Sequence, residues 1–167
     1  MDKVIVIAGP TASGKTDLAI EFALKCNGEI ISADSMQVYR GMDIGTAKPT
    51  LEERRGIPHY MLDVVDPDEE FSVAQFQQMA KECIKDILSR GKVPIVAGGT
   101  GLCINSLVYN ITFSETIADW KYREHLQNIA REQGPLVLHN MLEKIDPISA
   151  QNIHPNNVKR VIRALEV

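Results

Sequence analysis

The feature that most constrains this chain lies at its start. A short apolar, β-branched run from Lys3 to Ala8 ends at Gly9, and Gly9-Pro-Thr-Ala-Ser-Gly14-Lys15-Thr16 then matches GxxxxGK[ST] at every specified position. The run reads as a buried strand, and Leu18, Ala19, Phe22 and Ala23 repeat at helical spacing within Lys15 to Leu24. Strand, glycine-rich turn and helix in that order are the setting in which this pattern forms a phosphate cradle. The glycines admit backbone conformations that aim successive N–H groups at one anion, and the helix amino end adds a favourable dipole. Lys15 supplies a point charge for a terminal phosphate, and the Thr16 hydroxyl can ligate Mg²⁺. A ligand-free packing turn is the alternative, but a full pattern in the right setting is rare by chance. The motif says phosphate; it does not say nucleotide.

The rest of the chain fixes the architecture this cradle sits in. Glu29 to Ala33 and Val93 to Ala97 read as buried strands, and His59 to Val65 as a third of the same kind. Ser72-Val-Ala-Gln75 has the form of a capping box, and Phe76, Ala80, Cys83, Ile84, Ile87 and Leu88 make one apolar stripe behind it, ended by Gly91. Strands alternating with helices predict an α/β fold: a P-loop NTPase-like parallel sheet flanked by helices. The pattern changes after about Asn110. Helices follow through Trp120–Glu132, from Pro135 and after Pro155, with Gly134-Pro135 and Asp146-Pro147 as punctuation. The expected division is an α/β core over 1–110, a small all-helical insertion over 111–154, and a helix over 155–167 returning to the core. That helix stops at Val167 without a capping signal, so the chain is expected to be part of a longer protein.

Composition excludes more than it names. At 167 residues, 44% hydrophobic and 24% charged, the chain can bury a core, and no stretch approaches the ~20 apolar residues a membrane span needs. Its start lacks the pattern of a signal peptide, so a cytoplasmic location is expected. Cys26, Cys83 and Cys103 show no CxxC pairing and no His at ligand spacing, which predicts reduced thiols rather than a zinc site. A net charge of −4 argues mildly against nucleic-acid binding but leaves room for a local basic patch.

Three further groups are candidates for a site. Asp34 follows the second strand at its carboxyl end, where ligands of open α/β sheets bind, as a Mg²⁺ ligand, a general base or a solvated carboxylate. Ser35 and Gln37 offer donors and acceptors beside it. Gly98-Gly-Thr-Gly101 ends another strand and brings Thr100 forward, as a site loop or as a tight packing turn. Arg160 and Arg163 share one helical face; such a face, like Lys121 and Arg123, is ordinarily just solvated.

These residues also fit a known pattern. Gly9–Thr16, Ala33-Asp-Ser-Met-Gln-Val-Tyr-Arg40, Gly41-Met-Asp-Ile-Gly-Thr-Ala-Lys-Pro49, Ile57-Pro-His59, Gly98-Gly-Thr-Gly-Leu102, and His154-Pro-Asn156 with Arg160 and Arg163-Ala-Leu-Glu166 resemble bacterial tRNA dimethylallyltransferases. The second and third blocks form one specific run, 33–49. The resemblance covers essentially the whole chain and about the first half of those enzymes. It departs at Cys103, where Tyr is usual, and at Tyr60, where a second His is common.

The resemblance implies transfer of a dimethylallyl group from its diphosphate to the exocyclic amine of the adenosine that follows the anticodon. Diphosphate contacts would be Gly9, Thr11, Ala12, Ser13, Gly14, Lys15 and Thr16, with Mg²⁺ on Thr16. Asp34 would accept the proton of the attacking amine, and Thr100 would orient the leaving group or the adenine. By the same analogy tRNA would meet Asp34, Ser35, Met36, Gln37, Thr100, Arg123, Lys159, Arg160 and Arg163. The implied partners are the tRNA anticodon stem-loop and dimethylallyl diphosphate, with no membrane and a monomeric protein. Two alternatives follow from the cradle alone: a small-molecule kinase using ATP, which would need an adenine site and an arginine-bearing lid, and a diphosphate-binding chain without turnover.

Overall fold

A computed structural model describes residues 3–113 and 119–167, in two compact units, Met1–Thr112 and Phe113–Val167. The first is a parallel sheet between helices. Its strands are β1 (Ile5–Ala8), β2 (Gly28–Ser32), β3 (His59–Tyr60) and β4 (Val93–Gly98), ordered β1-β4-β2-β3 with every pair parallel. Side chains alternate across the sheet because successive residues of a strand face opposite ways. On one face Ile30 and Ile95 pack with Ala19, Ile20 and Ala23 of α1 (Lys15–Cys26). On the other, Ile31 and Val96 pack with Phe76, Ala80 and Ile87 of α2 (Val73–Ser89) and with Cys103 and Ile104 of α3 (Gly101–Val108). Phe76 is 1% exposed, and burying a ring of that size contributes roughly 2–3 kcal/mol. The expected apolar stripe of α2 is the face that covers the sheet.

The capping box is formed as the sequence predicts: Gln75 N donates to Ser72 Oγ (3.2 Å) and Ser72 N to Gln75 Oε1 (2.8 Å). The third strand is shorter than the expected 59–65. Met61 and Asp63 adopt left-handed backbone (φ 62° and 56°), which turns the chain out of the sheet after Tyr60. Pairing resumes only as an isolated bridge between Tyr39 and Val65.

At the end of the sheet away from the cradle, Glu29 is almost wholly buried, at 1% exposure. Its carboxylate accepts from Arg90 Nη1 and Nη2 (2.7 and 2.6 Å), Lys92 Nζ (2.6 Å) and Tyr60 Oη (2.7 Å). One side chain therefore ties β2 to β3, to the end of α2 and to the start of β4. The Arg90 guanidinium, against the cost of burial, holds the Glu29 carboxyl at about 2, well below its usual range.

The second unit is helical: α4 (Trp120–Gln133), α5 (Pro135–Ile145), α6 (Pro147–Asn152) and α7 (Val158–Glu166). Asp119, Asp146 and Asn157 cap α4, α6 and α7 through side-chain oxygens. Leu126, Leu138, Leu142, Ala150, Val161 and Ile162 form its core. Helix α6 is absent from the sequence reading, which took Asp146-Pro147 as mere punctuation; the pair is an N-cap followed by a proline in the first turn. Within this unit Val161 and Ile162 bury the apolar face of α7 among α4 and α5. Of the expected insertion over 111–154, residues 114–118 lie outside the described residues. No described helix is long and apolar enough to cross a membrane.

Candidate functional site

The cradle is built by backbone geometry. Ala12 (φ 61°) and Gly14 (φ 77°) are both left-handed, a conformation that glycine adopts freely and alanine at a cost of about 1–2 kcal/mol. Strain at Ala12 is held where the chain wraps the site. Gly14 is the N-cap of α1 and offers no side chain to cap it, so the first-turn N–H groups are left for an anion. Lys15 Nζ donates to the Pro10 carbonyl at 2.5 Å, folding the ammonium back across the turn. A cavity of about 80 Å³ is lined by Thr11, Ala12, Lys15, Thr16, Asp34 and Gly99, among others. Ser13 and Gly14 line an adjoining one of about 220 Å³ together with Lys15 and Thr16. Gly9 closes the back: its carbonyl oxygen lies 3.2 Å from where a Cβ on Gly99 would stand.

Asp34 sits one residue past the buried Ala33, on the chain leaving β2. Its Oδ1 accepts from Met36 N (2.8 Å) and Gln37 N (3.3 Å), which fixes the turn; Oδ2 makes no hydrogen bond to a described residue. Thr100 is brought beside it by Gly98. A Cβ on Gly98 would stand 2.2 Å from the Ala33 carbonyl oxygen, so only glycine lets the ends of β2 and β4 approach. Thr100 N then donates to Ala33 O (3.2 Å), and Ser35 N donates to Thr100 Oγ1 (3.0 Å). Thr100 is the N-cap of α3 yet does not cap it, because its hydroxyl faces Ser35. Asp34, Ser35 and Thr100 share a second, mostly apolar cavity of about 200 Å³ with Phe76 and Cys103. Burial, with the nearby Asp34 charge, pushes the Cys103 thiol up to about 11.

The cavities bring together the cradle residues, Asp34, Ser35, Met36, Gln37 and Thr100. Gln37 takes a role the sequence did not suggest. Its Oε1 accepts from Ser32 Oγ (2.8 Å), and its Nε2 donates to the carbonyls of Thr46 (3.0 Å) and Ala47 (3.3 Å). It thereby fastens loop 41–47 over the cradle, and Thr46 and Ala47 line the same cavity. That loop went unassigned in sequence, although two glycines bracketing Met42 and Ile44 were a legible signal of a shaped turn.

In the helical unit Arg123, Lys159 and Arg163 line one cavity of about 420 Å³ with Trp120; Arg160 is not among its lining residues. The Arg123 guanidinium lies 4.8 Å from the Trp120 ring centroid, a cation–π contact. Arg123 also donates from Nε and Nη2 to Glu166 (2.8 and 2.9 Å), and Arg163 Nη1 adds a third bond (2.5 Å). Arg123 first, against burial, and then Arg163 hold Glu166 at about 2. The carboxylate sets both guanidinium groups in place.

Oxygen donors for a hard cation are sparse. No group of three or more His, Cys, Asp or Glu able to hold a metal occurs among the described residues. Thr16 and Asp34 do line one cavity, which suits an ion that keeps most of its ligands from phosphate and water.

The chain is similar to known proteins along essentially its whole length. The family model described as IPP transferase matches residues 37–167. A tRNA dimethylallyltransferase of Acetivibrio thermocellus is 65% identical over 167 residues, covering 100% of this chain and 53% of its own. One from Alkaliphilus oremlandii is 58% identical over 165 residues, covering 99% and 53%. Among solved structures, the full-length tRNA isopentenylpyrophosphate transferase of Bacillus halodurans superposes with a TM-score of 0.67 at 51% identity, over 99% of this chain and 55% of that one. A eukaryotic dimethylallyltransferase acting on tRNA gives 0.79 at 41% identity, over 99% and 41%. The chain thus spans about half the length of the curated relatives it matches.

Proposed function

The chain belongs to the IPP transferase family, and we propose that it holds the donor site and the proton acceptor of a transferase that moves a dimethylallyl group from its diphosphate to the exocyclic amine of a tRNA adenosine. The observation that carries this reading is one cavity lined by the cradle and by Asp34. A diphosphate in the cradle would meet the uncapped N–H groups of α1 and the Lys15 ammonium. These stabilise the charge that gathers on it as the allylic C–O bond stretches. The amine nitrogen attacks the carbon at the far end of that bond. The bond's electron pair leaves with the diphosphate, and the amine proton passes to Asp34 Oδ2. Thr100, held against Ser35 beside Asp34, orients the acceptor. Mg²⁺, taken up with the diphosphate on Thr16, would supply Lewis-acid stabilisation of the leaving group.

On this reading the adenosine must leave its stack to reach Asp34, at a cost of a few kcal/mol. The cavity of the helical unit, with one aromatic ring and three cations, has the chemistry of an RNA contact. Titration calorimetry tests the donor site. Lys15→Ala should weaken pyrophosphate and dimethylallyl diphosphate by roughly 1.5–3 kcal/mol, about 10- to 150-fold, with the melting temperature of the free chain little changed. ATP with Mg²⁺ should stabilise the chain less than dimethylallyl diphosphate does. Unchanged pyrophosphate affinity in the variant, or a clear preference for ATP, would reject the reading.

A further inference from the structure

Helix α3 carries Thr100 at its amino end and is fastened at the other. Its last turn closes in a Schellman motif. Ile111 N donates to the Ser106 carbonyl (3.1 Å) and Asn110 N to the Leu107 carbonyl (3.4 Å), with Asn110 left-handed at φ 47°. Helix α2 grips this turn from the side. Gln77, only 8% exposed, donates from Nε2 to the carbonyls of Ser106 (2.5 Å) and Ile111 (2.9 Å). Four residues along the same face of α2, Lys81 Nζ donates to Asn110 Oδ1 (2.6 Å).

These bonds have direction where the surrounding contacts have none. Cys103 and Ile104 of α3 meet Phe76 and Ala80 through apolar surface, and apolar burial is non-directional. A buried amide or carbonyl without its partner is costly, so the Gln77 amide and the two carbonyls hold each other in register. At the amino end no side chain caps α3, because the Thr100 hydroxyl accepts from Ser35 N (3.0 Å) instead. Eight residues at roughly 1.5 Å each make α3 a rod of about 12 Å, so an axial slip at Ser106 arrives undiminished at Thr100. Gln77 lines none of the cavities that Asp34 lines, so it reaches the site through this helix.

We infer that Gln77, seconded by Lys81, is a positioning residue for the transfer, an inference that rests on the role given to Thr100 above. By fixing the carboxyl end of α3 the pair sets the Thr100 hydroxyl against Ser35, next to the proton acceptor Asp34. Gln77→Met keeps nearly the same length and removes both donors.

The test reads the far end of the helix. In ¹H–¹⁵N spectra of this chain, Gln77→Met should move the Ser35 amide resonance toward its position in Thr100→Val, where the accepting hydroxyl is gone. Lys81→Met should move it the same way by less, and pyrophosphate should bind both variants as before. In a protein of the relatives' full length that carries this sequence, Gln77→Met should lower the maximal rate of single-turnover transfer by about tenfold or more, since a displacement of 1 Å can cost about 10²-fold. The donor concentration giving half that rate should not change, and adding Thr100→Val should slow transfer little further. A Ser35 amide that stays in place, or losses that multiply in the double variant, overturns the positioning role. If Gln77→Met does not fold, Lys81→Met decides on the same amide, and an unmoved resonance overturns the inference. Absence of transfer by the unaltered protein overturns the function proposed above, while the Ser35 amide still judges the link from α2 to Thr100.

Discussion

Replacing Glu29 by Gln should remove most of the acid sensitivity of the α/β unit. Its carboxylate is 1% exposed and accepts bonds from Arg90, Lys92 and Tyr60, which hold it at about 2 against an ordinary 4.5. A carboxyl whose folded value is depressed stabilises the fold fully above its unfolded value and loses that contribution as pH falls toward the folded one. The window is therefore about 4.5 down to 2. The whole shift corresponds to about 3 kcal/mol, of which about 2 kcal/mol is already gone at pH 3. Glu166 is held equally low in the helical unit, so a global melt mixes the two. Hydrogen exchange at the β2 and β4 amides separates them. The unaltered chain should lose about 2 kcal/mol of protection there between pH 6 and pH 3. Glu29→Gln should start lower at neutral pH, because Lys92 loses its carboxylate partner and Arg90 keeps only Asp86, and should then change little with acid. Parallel pH curves for the two proteins would refute the assignment.

Three other expectations follow from the same contacts. Gly98→Ala should destabilise the α/β unit by roughly 2 kcal/mol or more in a thermal melt, since its Cβ would stand 2.2 Å from the Ala33 carbonyl oxygen; an unchanged melting temperature contradicts the close approach. Cys103, buried and pushed up to about 11, should alkylate at pH 8 more slowly than Cys26, as peptide mapping after timed labelling would show. Trp120, the one tryptophan of the chain, should lose fluorescence when anticodon-arm RNA binds, with an affinity that falls steeply with salt; a salt-independent signal, or none at low salt, counts against an RNA contact there.

What the sequence revealed and what it hid divide along the range of the interactions. The cradle, the capping box at Ser72 and the stripe from Phe76 to Leu88 are written in neighbouring residues, so spacing alone exposes them. The strand expected over 59–65 breaks at Met61 because of a left-handed turn that no residue-type rule marks at a methionine. Glu29 looked like an ordinary strand residue; its partners lie 31 to 63 positions away, and only the packed sheet gathers them. The bonds that engage the Gln37 amide, with Ser32, Thr46 and Ala47, join positions that spacing alone does not connect. Val158, Val161, Ile162 and Leu165 recur at helical spacing in α7, but spacing alone does not show that Leu126, Leu138 and Leu142 meet them. Asp34 and Thr100, 66 positions apart, are linked in the sequence by the rule that ligands gather at strand carboxyl ends and by the family resemblance, not by their spacing.

The central claim, that the cradle delivers an allylic diphosphate to an amine deprotonated by Asp34, meets its most direct test in a paired measurement. Single-turnover transfer is followed by mass spectrometry of tRNA nucleosides, using a protein of the relatives' full length that carries this sequence, Mg²⁺ and dimethylallyl diphosphate. Pyrophosphate binding is measured on the same samples. The unaltered protein should add one C₅H₈ unit to an adenosine. Asp34→Asn, which keeps the shape and removes the proton acceptor, should slow transfer by about 10²–10⁴-fold while pyrophosphate binds as well or better. Transfer at the unaltered rate, or pyrophosphate binding that collapses together with the rate, would contradict the role given to Asp34; no C₅H₈ addition by the unaltered protein would contradict the claim as a whole.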